Sequence, residues 1–136
     1  MPIAKTPQKT KQQKEHSFFK GFVYAWQGIR RGFSTEFNLR LHLLVAMLVA
    51  LLGWLCQLST YEWLIIIFCF SIVPTIELIN SAIEETCDKL RDDLGLPFAA
   101  TKWPRDLAAG AVLWSALGSA IIGVIIFLPK LIVLFT

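Results

Sequence analysis

The sequence predicts an all-α integral membrane protein with three transmembrane helices and an N-terminal amphipathic surface helix. Three observations predict it. Hydrophobic residues make up 55% of the chain and charged residues only 17%, with a mean hydropathy of +0.58, a balance that belongs in a bilayer. Three apolar runs are long enough to cross one. Ahead of them, aromatic residues recur at helical spacing. A chain of 136 residues with so few spans builds a thin core, so a homo-oligomer is expected.

Residues 1–14 (MPIAKTPQKTKQQK) are polar and basic, with two prolines. They predict a disordered cytosolic tail. They carry no signal-peptide pattern, because no apolar stretch follows directly. Residues 15–34 read as the surface helix. Phe18, Phe22, Trp26, Ile29 and Phe33 recur at spacings of three and four, and Phe19 and Val23 widen the stripe. Lys20, Gln27 and Arg30 lie off it. A soluble core helix would show the same pattern, but the spans downstream favour a helix lying in the headgroup region. Ser34 and Thr35 are placed to break or cap it.

The first span covers about residues 41–58 (LHLLVAMLVALLGWLCQL), with Arg40 and His42 able to snorkel to the near interface. A short polar turn follows at 57–62, where Trp54, Tyr61 and Trp63 suit an aromatic belt. The second span runs over about residues 63–83. Pro74 predicts a kink near Phe70, and the helix should continue past the membrane to around Arg91. Residues 92–104, with Gly95, Pro97 and Pro104, read as a loop. The third span covers about 107–128 and is rich in Gly, Ala and Ser, which let helices approach closely. Pro129 is expected to end it, leaving an apolar tail in the outer leaflet.

Charge fixes the expected orientation. Of the 13 Lys and Arg residues, eight lie in residues 1–40 and four between 85 and 106. By the positive-inside rule the N-terminus and the 85–106 segment face the cytosol. Cys56, Cys69 and Cys87 have no metal-ligand spacing and read as packing residues.

The second span carries the chemistry. Glu77, Asn80, Ser81, Glu84 and Asp88 stand at offsets that stay within about 60° of one helical line. A charge at the bilayer centre costs roughly 2.5–3.5 kcal/mol on insertion scales, which turns this stripe toward protein or water. Arg105 and Asp106 return to the same depth at the start of the third span, and Glu36 stands there before the first. Such a set suits metal-ion chemistry or a proton path. Phosphoryl transfer needs carboxylates for divalent cations, a cation near the transferred group and a group to deprotonate the acceptor. Glu36 and Glu84 could hold Mg²⁺, Arg105 could face the γ-phosphate, and Glu77 could serve the acceptor hydroxyl. There is no Walker A loop, GxGxxG or kinase HRD-type loop.

Plainer roles exist for each group. Glu85 reads as a solvated charge, and Asp88 could pair with Lys89 or Arg91. Arg105 could anchor a span end, and Asn80 and Ser81 could be interhelical hydrogen-bonding groups.

The string Glu77-Leu-Ile-Asn80-Ser81-Ala-Ile-Glu84, then Asp88, then Arg105-Asp106-Leu-Ala-Ala-Gly-Ala-Val112 resembles the prokaryotic diacylglycerol kinase family. The likeness extends upstream through Phe18-Phe19-Lys20, Gly28-Ile-Arg30 and Glu36, covering residues 17–131. The ending IIGVIIFLPKL is similar to the Gram-positive branch, whose members phosphorylate undecaprenol. The resemblance implies a homotrimer in a bacterial cell membrane, with active sites between subunits at the cytosolic face. It implies Glu77 as catalytic base at the substrate, Glu36 and Glu84 as Mg²⁺ ligands, and Tyr24, Glu36, Glu84, Asp88, Arg105 and Asp106 as nucleotide contacts, supported by Asn80 and Ser81. The implied partners are ATP, a membrane lipid alcohol and further copies of the chain, with no nucleic acid. Three features depart from the family pattern: Pro104-Arg105 replaces Ala-Lys, Ser17 stands where relatives carry Arg, and the 89–104 loop is longer.

The leading expectation is therefore an ATP-dependent lipid kinase acting on undecaprenol, or alternatively on diacylglycerol. A proton or ion path built from Glu77 and Glu84 is a reading of another class, and an inactive assembly subunit is a third. A proton path needs neither Glu36 nor the Arg105-Asp106 pair.

Overall fold

The computed structural model describes residues 11–135, with side chains described over 19–133. The chain is all helical there: α1 (Lys11–Thr35), α2 (Phe37–Leu55), α3 (Thr60–Leu94) and α4 (Phe98–Phe135). Helices α2, α3 and α4 are each long and apolar enough to cross a membrane. Residues 1–10 of the expected tail lie outside the described residues, as do the side chains of Ser17 and Phe18.

Among the described residues α1 is already helical at Lys11, four residues before the expected start at residue 15. Lys, Gln and Glu are good helix formers, and no Gly or Pro interrupts them before Gly21. Its Phe19, Phe22, Tyr24 and Trp26 are all exposed, as a helix lying on a membrane surface requires. Ser34 and Thr35 do not cap α2. Both hydroxyls donate back to the Arg31 carbonyl, at 2.7 and 3.1 Å, and the N-cap of α2 is Glu36 in extended conformation.

The turn between α2 and α3 is tighter than the sequence predicts. Helix α2 ends at Leu55, and Gln57 takes a positive φ of 51°, which carries Leu58 back under Gly53. A Cβ on Gly53 would lie 2.9 Å from Leu58 and 3.0 Å from the Trp63 ring, so this close approach needs glycine. Trp63 therefore packs partly inward rather than joining exposed Trp54 and Tyr61 at the interface. Ser59 and Glu62 form a reciprocal capping box that starts α3.

Helix α3 runs unbroken through Pro74 to Leu94, three residues past the expected end. Gly95 stops it in left-handed conformation, and the Leu96 amide closes the end on the Arg91 carbonyl at 3.0 Å. The 92–104 loop is thus reduced to a short turn, because α4 starts at Phe98 and includes Pro104.

Pro129 does not end α4 either. Each proline removes one backbone donor, but contacts beyond Pro129 hold the helix on course. Lys130 Nζ pairs with Glu62 Oε2 at 3.2 Å, and Leu131 packs against the cluster of Leu58, Ile66 and Phe127. The apolar tail is therefore helical through Phe135 and anchored to the turn between α2 and α3.

Helix α3 is the central element, packing chiefly on α4 and next on α2. Near the other end, Leu39 is 1% exposed beside Gly32, where α1 meets α2. The three cysteines are free.

Candidate active site

The polar stripe of α3 turns inward, as its helical spacing predicts. Glu77 is only 2% exposed and Asn80 7%. No described residue donates to the Glu77 carboxylate. Ser81 instead bonds the Glu77 carbonyl at 3.0 Å. One turn further along α3, Asn80 Nδ2 donates to Glu84 Oε1 at 3.2 Å. That bond orients the Glu84 carboxylate and leaves buried Asn80 Oδ1 without a partner among the described residues.

Glu84 opens into a cavity of about 580 Å³ between α1 and α3. Glu36, Ser81 and Asp88 line it as well. Two helices so distant in sequence meet here because α1 presents glycine to α3. A Cβ on buried Gly32 would come within 2.5 Å of Leu78 Cδ2.

Asp88 joins the cavity to α4. Its Oδ1 accepts from Arg105 Nη1 at 2.6 Å and pairs with Arg91 Nη2 at 3.0 Å. The Phe98 ring lies against both guanidiniums, with centroid distances of 5.4 and 6.0 Å. Asp88 thus pairs with Arg91 but not with Lys89. Arg105 is a bonded partner of α3 rather than a free span anchor.

Glu85 is more than a solvated charge. Its Oε1 pairs with Arg31 of α1 at 3.0 Å and with Lys89 at 3.1 Å. These partners, which lie outside the apolar stretch of α3, hold its carboxyl below the usual range. The Lys89 hydrogen bond contributes most, followed by the Arg31 charge. Little in the sequence marks Arg31 as a partner of Glu85. Its only signal was an arginine five residues before Glu36.

One chain does not gather every candidate. Asp106 pairs with Lys102 of its own helix and does not line the cavity. Tyr24 is exposed in a separate groove with Phe19, Lys20 and Val23. It stands twelve residues before Glu36, about 18 Å along a helix axis. Glu77 lies two turns deeper than Glu84 and also stays off the cavity wall. A second groove, of about 470 Å³ between α2, α3 and α4, is apolar apart from His42 and Ser119, and it carries no carboxylate.

The cavity fits a magnesium ion by donor chemistry. Among the described residues no three metal-ligating side chains cluster. Mg²⁺, however, takes one or two carboxylates together with water and substrate phosphate. Glu36 and Glu84, which both line the cavity, are carboxylates of that kind.

Comparison with known proteins bears on what this arrangement does. The family described as "Prokaryotic diacylglycerol kinase" matches residues 23–127. The chain is 42% identical over 123 residues to an undecaprenol kinase of Bacillus subtilis (strain 168), spanning 90% of this chain and 98% of that protein. It is 31% identical over 133 residues to a diacylglycerol kinase of Synechocystis sp., spanning 96% of this chain and 74% of that one.

Proposed function

The chain belongs to the prokaryotic diacylglycerol kinase family and is a lipid kinase, and from that premise we propose that it transfers the γ-phosphoryl group of ATP to the hydroxyl of undecaprenol. The observation carrying the substrate is the likeness to the Bacillus undecaprenol kinase, which is higher in identity and fuller in coverage than that to the diacylglycerol kinase.

The cavity lined by Glu36 and Glu84 supports the catalytic reading. These two carboxylates would hold Mg²⁺, which when bound neutralises charge on the phosphates. Asn80 keeps Glu84 turned toward that ligand. Arg105 does not line the cavity itself, but Asp88, which does, holds it alongside, from where it would supply positive charge to the phosphates. Glu77 accepts the proton of the lipid hydroxyl as its oxygen bonds to the γ-phosphorus. The bond from that phosphorus to the β–γ bridging oxygen breaks, and ADP leaves. Burial suits Glu77 to a base role in a site closed to bulk water.

In this reading the active protein is a homotrimer. Trp114, Leu113, Ile121 and Ile125 of α4 are largely exposed, which suits contact with lipid or with other copies. Neighbouring copies would bring Tyr24, Asp106 and Glu77 to a shared site. The membrane is the bacterial cell membrane, with the N-terminus and the cavity on the cytosolic side, where ATP is available.

The test is phosphate transfer by purified protein in mixed micelles with γ-labelled ATP and Mg²⁺, offering undecaprenol and diacylglycerol separately. Undecaprenyl phosphate should form with the higher kcat/KM. A preference for diacylglycerol would overturn the substrate, and no label in either lipid would overturn ATP as donor.

A further inference from the structure

Arg31 lines the same cavity as Glu36 and Glu84 but has no part in the scheme above. We propose that Arg31 is a nucleotide-binding residue that leaves Glu85 to grip a phosphate of the incoming nucleotide. The inference rests on the kinase reading and adds a specific residue to it.

Charge makes the first argument. Five carboxylates line the cavity, those of Glu36, Glu84, Glu85, Asp88 and Asp92. Only two cations, Arg31 and Lys89, line it with them among the described residues. A polyphosphate entering such a space meets strong repulsion unless cations turn toward it. Arg31 is the better placed of the two. It stands on α1 on the approach to Glu36, and its planar fork matches phosphate oxygens two at a time.

Exchange makes the second argument. The Arg31–Glu85 pair is exposed, with 68% of the arginine and 43% of the glutamate side chain open to solvent. An exposed pair of this kind contributes little and breaks readily. Lys89 bonds the same oxygen, Glu85 Oε1, at 3.1 Å. When Arg31 departs, Glu85 therefore keeps a cation. The arrangement allows Arg31 to change partners while α3 keeps its own ion pair.

A structural tie between α1 and α3 would need the same residues, so the test must separate the two. Nucleotide KM, lipid KM and kcat are measured in mixed micelles for wild type, Arg31→Ala, Glu85→Gln and the charge swap Arg31→Glu with Glu85→Arg. Loss of a charged hydrogen bond to phosphate predicts a nucleotide KM raised about tenfold in Arg31→Ala, with lipid KM unchanged. Glu85→Gln should lower nucleotide KM, because Arg31 is then free. The charge swap should keep KM raised, although it restores the pair. A swap that returns nucleotide KM to the wild-type value makes Arg31 a tether and overturns the inference. So does an Arg31→Ala KM within about twofold of wild type. Wild-type turnover with ATP separates the two levels: its absence sinks the kinase scheme itself, whereas its presence with an unmoved Arg31→Ala KM sinks only this proposal.

Discussion

Arg105 Nη1 lies 2.6 Å from Asp88 Oδ1, so the first turns of α4 are fastened to α3 beside the cavity that holds Glu84. The same oxygen also pairs with Arg91. Asp88 thereby sets where the Arg105 guanidinium points. Asp88→Ala should leave the protein folded but lower kcat/KM by roughly a hundredfold, the scale expected when a positioned group shifts by about 1 Å. Steady-state kinetics with saturating lipid checks this, and Arg105→Lys should recover part of the loss seen in Arg105→Ala.

Glu77 is the buried acid with no donor among the described residues. If it takes the proton of the acceptor, Glu77→Gln should reduce turnover by about 10²–10⁴-fold. Nucleotide binding and oligomeric state should be retained, as measured by nucleotide titration and by light scattering in detergent.

Asn80 would support Glu84 as a proposed metal ligand. Its amide donates to Glu84 Oε1 at 3.2 Å, and removing such a supporting bond typically costs 10–100-fold in metal affinity. Asn80→Ala should therefore shift the Mg²⁺ dependence of activity upward by about that factor. Turnover at saturating Mg²⁺ should change far less.

The opposite end of the bundle carries a pH-dependent clasp. Glu62 lies just outside the apolar stretch of α3 and accepts from the Ser59 amide at 2.7 Å and the Ser59 hydroxyl at 2.8 Å. It also pairs with Lys130. The Ser59 backbone bond first, its hydroxyl bond next and Lys130 last hold its carboxyl below the usual 4.5, against an opposing effect of desolvation that ranks between the hydroxyl and Lys130. A depressed folded-state value stabilises the fold above the unfolded value, and the contribution is lost as pH falls through the folded one. Thermal stability should thus be flat from neutral pH down to about 5 and then fall in acid. In Glu62→Gln that acid component should be absent. Ser59→Ala should cost about 1 kcal/mol of stability, as for loss of a helix cap. Thermal unfolding in detergent at stepped pH measures all three.

What could be read from the sequence follows from the range of the interactions involved. The three spans and the inward turn of Glu77 and Asn80 are local periodicities, and the structure has them as expected. The ends of the helices are not local. Pro129 reads as a stop until Lys130 is seen bonded to Glu62 and Leu131 seated on Leu58 and Phe127. Arg31 and Glu85 are 54 residues apart, and no periodicity joins them. The sequence offers Asp88 two nearby bases, Lys89 and Arg91, and only the packing of α4 on α3 adds Arg105 alongside Arg91. The resemblance implies a site shared between subunits, and in one chain Tyr24, Glu77, Arg105 and Asp106 all lie off the cavity lined by Glu36 and Glu84.

The most direct test of the whole account is the Mg²⁺ titration of lipid phosphorylation by Glu36→Gln and Glu84→Gln, each beside wild type in the same micelles. The cavity reading predicts that each substitution lowers lipid phosphate formation by at least about a hundredfold, with part of the activity recovered as Mg²⁺ is raised. Wild-type rates in either variant at limiting Mg²⁺ would contradict it, because the two carboxylates could not then be holding the ion on which transfer depends.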